Sequence, residues 1–249
     1  MFPLFAGMKA KTRKQRHREI QAAVDRSLYA CVIELAQVYL CEFPEDGLVW
    51  LDLGDALLAF GRYKEARVAL LRAVKYMRPE HLDLPYSYMG HIYKSRGDYR
   101  KAAEWYRKAV GAAPGEAGNH IYLGSALLHA GKLTAAERSF RKALECKDGP
   151  VDEAYYNLGV TLCGQAKYKA ALVCFEKALR LDPKYKLAKR AIKDMEKVLS
   201  IKDTSNNGMH PTRNSVALNL NLAGGRVMPG VRRLLTPHHG SANYSRGEG

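Results

Sequence analysis

Residues 154–159 read AYYNLG, and the fold turns on why the glycine is there. In an exposed helix interior, Gly is about 1 kcal/mol less favourable than Ala, so something other than helix propensity keeps it. Aligning on that Gly finds three further segments with the same spacing of bulky and small residues. LVWLDLGDALLAFGRYKEARVALLRAV begins at residue 48, LPYSYMGHIYKSRGDYRKAAEWYRKAV at 84 and GNHIYLGSALLHAGKLTAAERSFRKAL at 118, beside EAYYNLGVTLCGQAKYKAALVCFEKAL at 153. Their glycines, Gly54, Gly90, Gly124 and Gly159, lie 36, 34 and 35 residues apart.

The match extends well beyond glycine. Trp50, Tyr86, His120 and Tyr155 stand four residues before it, and Leu53, Met89, Leu123 and Leu158 directly before it; Leu57, Tyr93, Leu127 and Leu162 follow. Next come a small position (Ala66, Ala102, Ala136, Ala171), a bulky one (Leu70, Tyr106, Phe140, Phe175) and a second small one (Ala73, Ala109, Ala143, Ala178). Pro79, Pro114 and Pro183 close three of the segments, and Pro150 is displaced in the third. This pattern resembles the tetratricopeptide repeat. The resemblance implies an all-α, right-handed α-solenoid of about four helix-turn-helix units. Small residues let the paired helices approach and bulky ones fill the space between them. The turns FGRYKEA, RGDYRKA and AGKLTAA agree, while the fourth, GQAKYKA, has Ala166 in place of the turn Gly and predicts a reshaped helix end there.

The repeats divide the chain into units at 47–82, 83–116, 117–151 and 152–183. Before them, 1–26 reads as a basic N-terminal segment and 27–46 as a degenerate half-repeat or cap, with Cys31, Leu35 and Val38 at its small and bulky positions and a first helix within 12–26. After them, 184–200 reads as a capping helix. It is apolar along Leu187, Ala191, Ile192, Met195, Val198 and Leu199, and charged on the other side. From 201 to 249, Asn, Gly, Pro and Ser accumulate without a helix period, which predicts a disordered tail.

The formal net charge is +15 in 249 residues, and much of the excess sits at the ends. Residues 1–26 carry seven Lys or Arg against two acids, and 200–249 six against two. The five cysteines show no C-x-x-C spacing and read as buried, reduced thiols. No run of about 18 apolar residues offers a membrane span. The start is apolar before it is basic, the reverse of a secretory signal. A cytoplasmic protein is expected, with Met8 an alternative start to Met1.

No constellation for chemistry is present. H-E-x-x-H, G-x-x-x-x-G-K-[ST] and a strand followed by G-x-G-x-x-G are all missing, so no enzyme, cofactor or metal role is expected. His238 and His239 lie in the tail without a third ligand in view, and His120 reads as core. The resemblance implies instead that the first helix of each unit lines a concave groove that binds peptides. Counting from each Gly, the groove positions are Leu51, Asp52, Asp55 and Leu58; Ser87, Tyr88, His91 and Lys94; Ile121, Tyr122, Ser125, Leu128 and His129; and Tyr156, Asn157, Val160 and Cys163. Among them Leu51, Asp55, Tyr88, His91, Tyr122, Ser125, His129, Tyr156 and Asn157 are the peptide-contact candidates, with the tyrosines supplying broad amphipathic area. Their identities do not fit the Lys/Asn/Arg carboxylate clamp by which some family members hold acidic chaperone tails. The expectation is a non-catalytic scaffold whose partner is another protein, bound through an extended or helical segment. The alternative is association with nucleic acid or an anionic surface through Lys9, Lys11, Arg13, Lys14, Arg16 and Arg18, which is salt-dependent by nature. A third reading makes the chain an accessory subunit beside an enzyme.

Overall fold

The computed structural model describes residues 11–206, with side chains to residue 200. All of them fall in the unit Met1–Arg213; the second unit, Asn214–Gly249, lies outside the described residues, as does the tail expected beyond 206. Among the described residues there are eleven α-helices and no strand: α1 (Arg13–Asp25), α2 (Tyr29–Glu42), α3 (Gly47–Ala59), α4 (Tyr63–Tyr76), α5 (Asp83–Ser95), α6 (Tyr99–Ala112), α7 (Ala117–His129), α8 (Leu133–Glu145), α9 (Val151–Gly164), α10 (Tyr168–Leu181) and α11 (Lys186–Asn206). A single 3-10 turn, Pro79–His81, precedes α5.

Consecutive helices pair as α1/α2, α3/α4, α5/α6, α7/α8 and α9/α10, and each second helix packs on the next first helix, so the pairs stack into an α-solenoid. The four repeat glycines sit where a Cβ would strike the partner helix. At Gly159 it would lie 2.6–3.0 Å from the ring of Phe175, at Gly124 2.7–2.9 Å from that of Phe140, and at Gly54 2.7 Å from Leu70. At Gly90 the ring is Tyr106. Each Gly therefore faces the fully buried bulky residue sixteen positions later, and a lost methyl on one helix makes room for a side chain on the other.

Residues 13–25 form the first helix expected within 12–26, and it pairs with α2. Here the volumes are exchanged. Ile20 stands in the glycine place and Ala36 sixteen residues on, and both are fully buried. Consequently the register of α2 differs from the expected one. Val32, Ala36 and Tyr39 face inward, whereas Cys31, Leu35 and Val38 are exposed. A polar cluster ties the pair to the start of α3: Tyr39 Oη donates to Asp46 Oδ2 (2.7 Å) and accepts from Arg13 Nε (3.0 Å), while Asp46 caps α3. A capping box, Thr12 with Gln15, starts α1.

The turns between paired helices share one geometry. Gly61, Gly97 and Gly131 adopt φ of 69°, 76° and 74°, and each following N–H donates back across the turn at 2.9 Å, as Arg62 does to the Leu57 carbonyl. This is the left-handed helix stop that favours Gly. Ala166 takes the same place with φ 60° and the same bond, from Lys167 N–H to the Leu162 carbonyl, so the fourth helix end is strained rather than reshaped. Ser27 does likewise after α1, at φ 55°.

At the far end α11 packs on α10 through Ala188, Ala191 and Met195, and the Cys163 thiol donates to Met195 Sδ at 3.3 Å. Leu187, expected inside, is exposed and Ala188 is buried in its stead, while Ala191 and Met195 are buried as expected. The helix also continues to Asn206, six residues past the expected boundary. Cys163 and Cys174 are buried, but Cys31 and Cys41 are exposed, contrary to the expectation of buried thiols throughout.

Candidate functional site

Successive first helices (α1, α3, α5, α7, α9) touch one another, whereas successive second helices scarcely do. In a curved stack the closer row is the inner one, so the first helices line the concave side. That row positions the candidate site, and the structure separates the expected positions into two classes. Residues two before and one after each Gly, Asp52 and Asp55, Tyr88 and His91, Tyr122 and Ser125, Asn157 and Val160, are partly open to this side. Leu51, Ser87 and Ile121, three before the Gly, are buried, whereas Tyr156 at the same place in the fourth repeat is partly open. Leu51 is thus a core residue at 7% exposure and not a peptide contact. Ser87 instead donates to Asn119 Oδ1 across α5 and α7 at 2.6 Å, and Cys163 is buried against Met195.

The middle of the groove is an aromatic cluster. His91 stands edge-on to Tyr122 with ring centroids 4.7 Å apart and edge-on to Tyr106 at 5.5 Å, with Tyr88 at 6.2 Å. Tyr106 Oη and His91 Nδ1 share a hydrogen bond of 2.8 Å. Burial, helped by nearby Lys94, lowers the His91 pKa to about 3, so the ring is neutral at physiological pH. Burial likewise raises the Tyr122 hydroxyl to about 12, keeping it protonated and able to donate. At the rim His129 stacks on Tyr99, with centroids 4.7 Å apart and planes 19° off parallel. Tyr106 and Tyr99 come from second helices and were missed in the sequence because their repeat positions read as packing alone.

The two ends of the groove differ in charge. Toward α1, Asp52 and Asp55 are both raised to about 7, chiefly by burial; Gln21 Nε2 donates to Asp52 Oδ2 at 2.7 Å and opposes the shift there. Toward α9, burial raises Glu153 and lowers Lys94, and each partly offsets the other's shift. Tyr156 packs between Phe175 (5.6 Å) and Tyr185 (5.1 Å), a residue the repeat pattern did not single out. His120, read as core, is buried and does more than fill space. Its Nε2 lies 2.9 Å from the Pro114 carbonyl, an acceptor only, so Nε2 carries the proton. Trp50 Nε1 donates to the Pro44 carbonyl in the same way, at 2.8 Å.

Among the described residues no group of His, Cys, Asp or Glu is placed to hold a metal ion, and no helix is long and apolar enough to cross a membrane. The basic N-terminal run is largely engaged in the fold. Arg16 pairs with Glu42 (2.6 Å), Arg13 with Asp46 (3.2 Å) and Lys11 with Glu19 (2.7 Å), leaving the nucleic-acid alternative without support; Lys9 lies outside the described residues.

Family models of the tetratricopeptide repeat match residues 19–81, 89–152 and 152–185. A curated relative, the probable UDP-N-acetylglucosamine–peptide N-acetylglucosaminyltransferase SPINDLY of Hordeum vulgare, is 35% identical over 99 residues, which is 37% of this chain and 10% of that protein. The chain thus spans about a tenth of that relative's length. Among solved structures, YrrB, described as a TPR protein with an unusual peptide-binding site, superposes with a TM-score of 0.60 at 20% identity, covering 73% of this chain and 92% of its own. MamA from Desulfovibrio magneticus RS-1 gives 0.61 at 20%, covering 72% and 99%. At such identities the likeness is one of fold.

Proposed function

The chain belongs to the tetratricopeptide repeat family, and from that premise we propose that it is a non-catalytic scaffold whose concave face binds a peptide segment of a partner protein. The reading rests on the row Tyr88, His91, Tyr122 and Tyr156, which presents aromatic area along successive first helices and remains partly open to solvent. Because His91, Tyr106 and Tyr122 hold one another in place, little side-chain freedom is lost when a segment docks on them. An extended or helical segment crossing α5, α7 and α9 would meet Tyr88, His91, Tyr122, Ser125, Tyr156 and Asn157, with His129 at the edge and Asp55 toward α3. We extend the proposal to a cytoplasmic setting, where exposed thiols such as Cys31 and Cys41 stay reduced.

The test is capture of partners by the full chain and by two variants. One carries Tyr88→Ala, Tyr122→Ala and Tyr156→Ala. The other carries Ser125→Arg and Asn157→Arg, which obstruct the groove without removing a packed ring. Both should lose the bound partner while retaining wild-type helicity by circular dichroism. A partner that binds both variants as well as the wild type refutes the groove.

A further inference from the structure

On the opposite side of the solenoid, α2 and α4 flank a groove floored by α3, about 540 Å³ in volume, lined by Leu40 and Cys41, by Trp50, Leu53 and Leu57, and by Val68. Beside it Val38 is 62% exposed, Val68 55% and Leu71 45%. Repeat packing does not require this. The positions of Val68 and Leu71 are held by Glu104 and Arg107 in the second repeat and by Arg138 and Arg141 in the third. Contiguous exposed apolar surface of this kind marks an interaction site.

The charges flanking the groove are divided by helix. Helix α2 carries Glu34 and Glu42 and no Lys or Arg, while α4 carries Lys64, Arg67, Arg72 and Lys75 against Glu65. Glu42 and Glu65 are paired with Arg16 and Arg62. That leaves Glu34 on one side, and Lys64, Arg67 and Arg72 on the other, exposed and without an ion pair among the described residues. One surface thus offers two apolar stripes, one acidic and one basic, which is self-complementary.

We propose that this groove is the interface between two copies of the chain, related by a two-fold axis along the groove so that α2 of each copy lies against α4 of the other. The axis then makes every contact occur twice, as an isologous interface requires. Val38 and Leu35 of one copy cover Val68 and Leu71 of the other, and Glu34 meets the Arg67 and Arg72 side. A two-fold axis at right angles would set α4 against α4 and bring its cations together, which is disfavoured.

Sedimentation equilibrium on the full chain, from about 1 µM to about 1 mM, covers the affinities expected of a modest interface. The wild type should dimerise. Val38→Glu and Val68→Glu, both at exposed positions, should weaken the dimer at least about tenfold without loss of helicity. Glu34→Arg alone, and Arg67→Glu with Arg72→Glu, should each weaken it, and all three together should restore it. A monomer throughout the range, a dimer that survives both Val→Glu changes, or charge reversals that fail to compensate would each overturn the proposal.

Discussion

Replacing Gly159 by Ala puts two effects of similar size against each other. The new Cβ would lie 2.6 Å from Cε1, 2.8 Å from Cδ1 and 3.0 Å from Cζ of Phe175, well inside contact distance. The ring cannot simply swing away, since it is 2% exposed and packs on Tyr156. Overpacking of this kind costs about 1–3 kcal/mol. Helix propensity opposes it by about 1 kcal/mol in favour of Ala. The expected net loss is therefore about 1 kcal/mol, or a fall in melting temperature of roughly 2–4 °C for a domain of this size. Gly111→Ala is the internal control, because a Cβ there meets nothing within 4 Å and only the propensity gain remains. Adding Phe175→Leu to Gly159→Ala should cost less than the two single changes summed, by about 1 kcal/mol, as expected for residues in contact. Urea titrations followed by circular dichroism measure all four proteins, with unchanged slope required for the comparison. If Gly159→Ala gains stability as Gly111→Ala does, close approach is not what retains the glycine.

Other perturbations have equally definite signs. Ala166→Gly should stabilise by about 0.5–1 kcal/mol, since it relieves the roughly 1–2 kcal/mol of left-handed backbone strain at φ 60° and loses part of that to a freer unfolded chain; thermal melts decide it. Asp55 is raised by burial from 3.8 to about 7, so its contribution to stability is full below about 4 and is lost as pH rises through about 7. Asp55→Asn should accordingly gain on the wild type from about pH 4 to about pH 7 and hold that gain above, in denaturant midpoints, and a constant difference would show that the carboxyl is not desolvated. Glu137, buried on α8, accepts from Gln165 Nε2 at 2.7 Å and pairs with Arg141 and Lys167; these partners together outweigh its desolvation and hold its pKa down. Glu137→Ala should cost about 1–3 kcal/mol in chemical denaturation by leaving the part-buried Gln165 amide without its acceptor, whereas a change within a few tenths would mean that the junction contributes little.

The repeats that keep glycine were legible because one residue type marks the place where two helices meet. The register of the first pair was not, for a physical reason. Ile20 and Ala36 satisfy the same volume requirement with the large and small partners exchanged, so no glycine anchors the alignment and the register of α2 comes out one residue early. In α11 only the first position differs, Ala188 being buried where Leu187 was expected, while Ala191 and Met195 hold the expected register. In the groove, positions two before and one after each Gly were readable from the repeat alone. The place three before was not, because Leu51, Ser87 and Ile121 are buried while Tyr156 in the last repeat stays partly open, a difference that the repeat pattern does not encode.

At the second repeat the core is joined to the proposed groove by a hydrogen bond, from the residue in the bulky place to one on the concave side. Gly90 makes room for the Tyr106 ring, and that ring extends through its hydroxyl to His91 on the concave side. The residues in the Tyr106 place elsewhere, Leu70, Phe140 and Phe175, carry no polar end with which to hold a groove residue by a hydrogen bond. Hence Gly90→Ala should act at two distances. It forces Tyr106 to shift, which breaks or lengthens the 2.8 Å bond to His91 and disturbs the edge-on contact of His91 with Tyr122. Gly124→Ala crowds Phe140, which ends in the core, and should lower stability while leaving His91 undisturbed. The His91 ring resonances in an NMR spectrum separate the two cases: they should move in Gly90→Ala and stay in Gly124→Ala. Equal shifts in both would mean that the cluster senses general loosening of the solenoid and not the position of one ring.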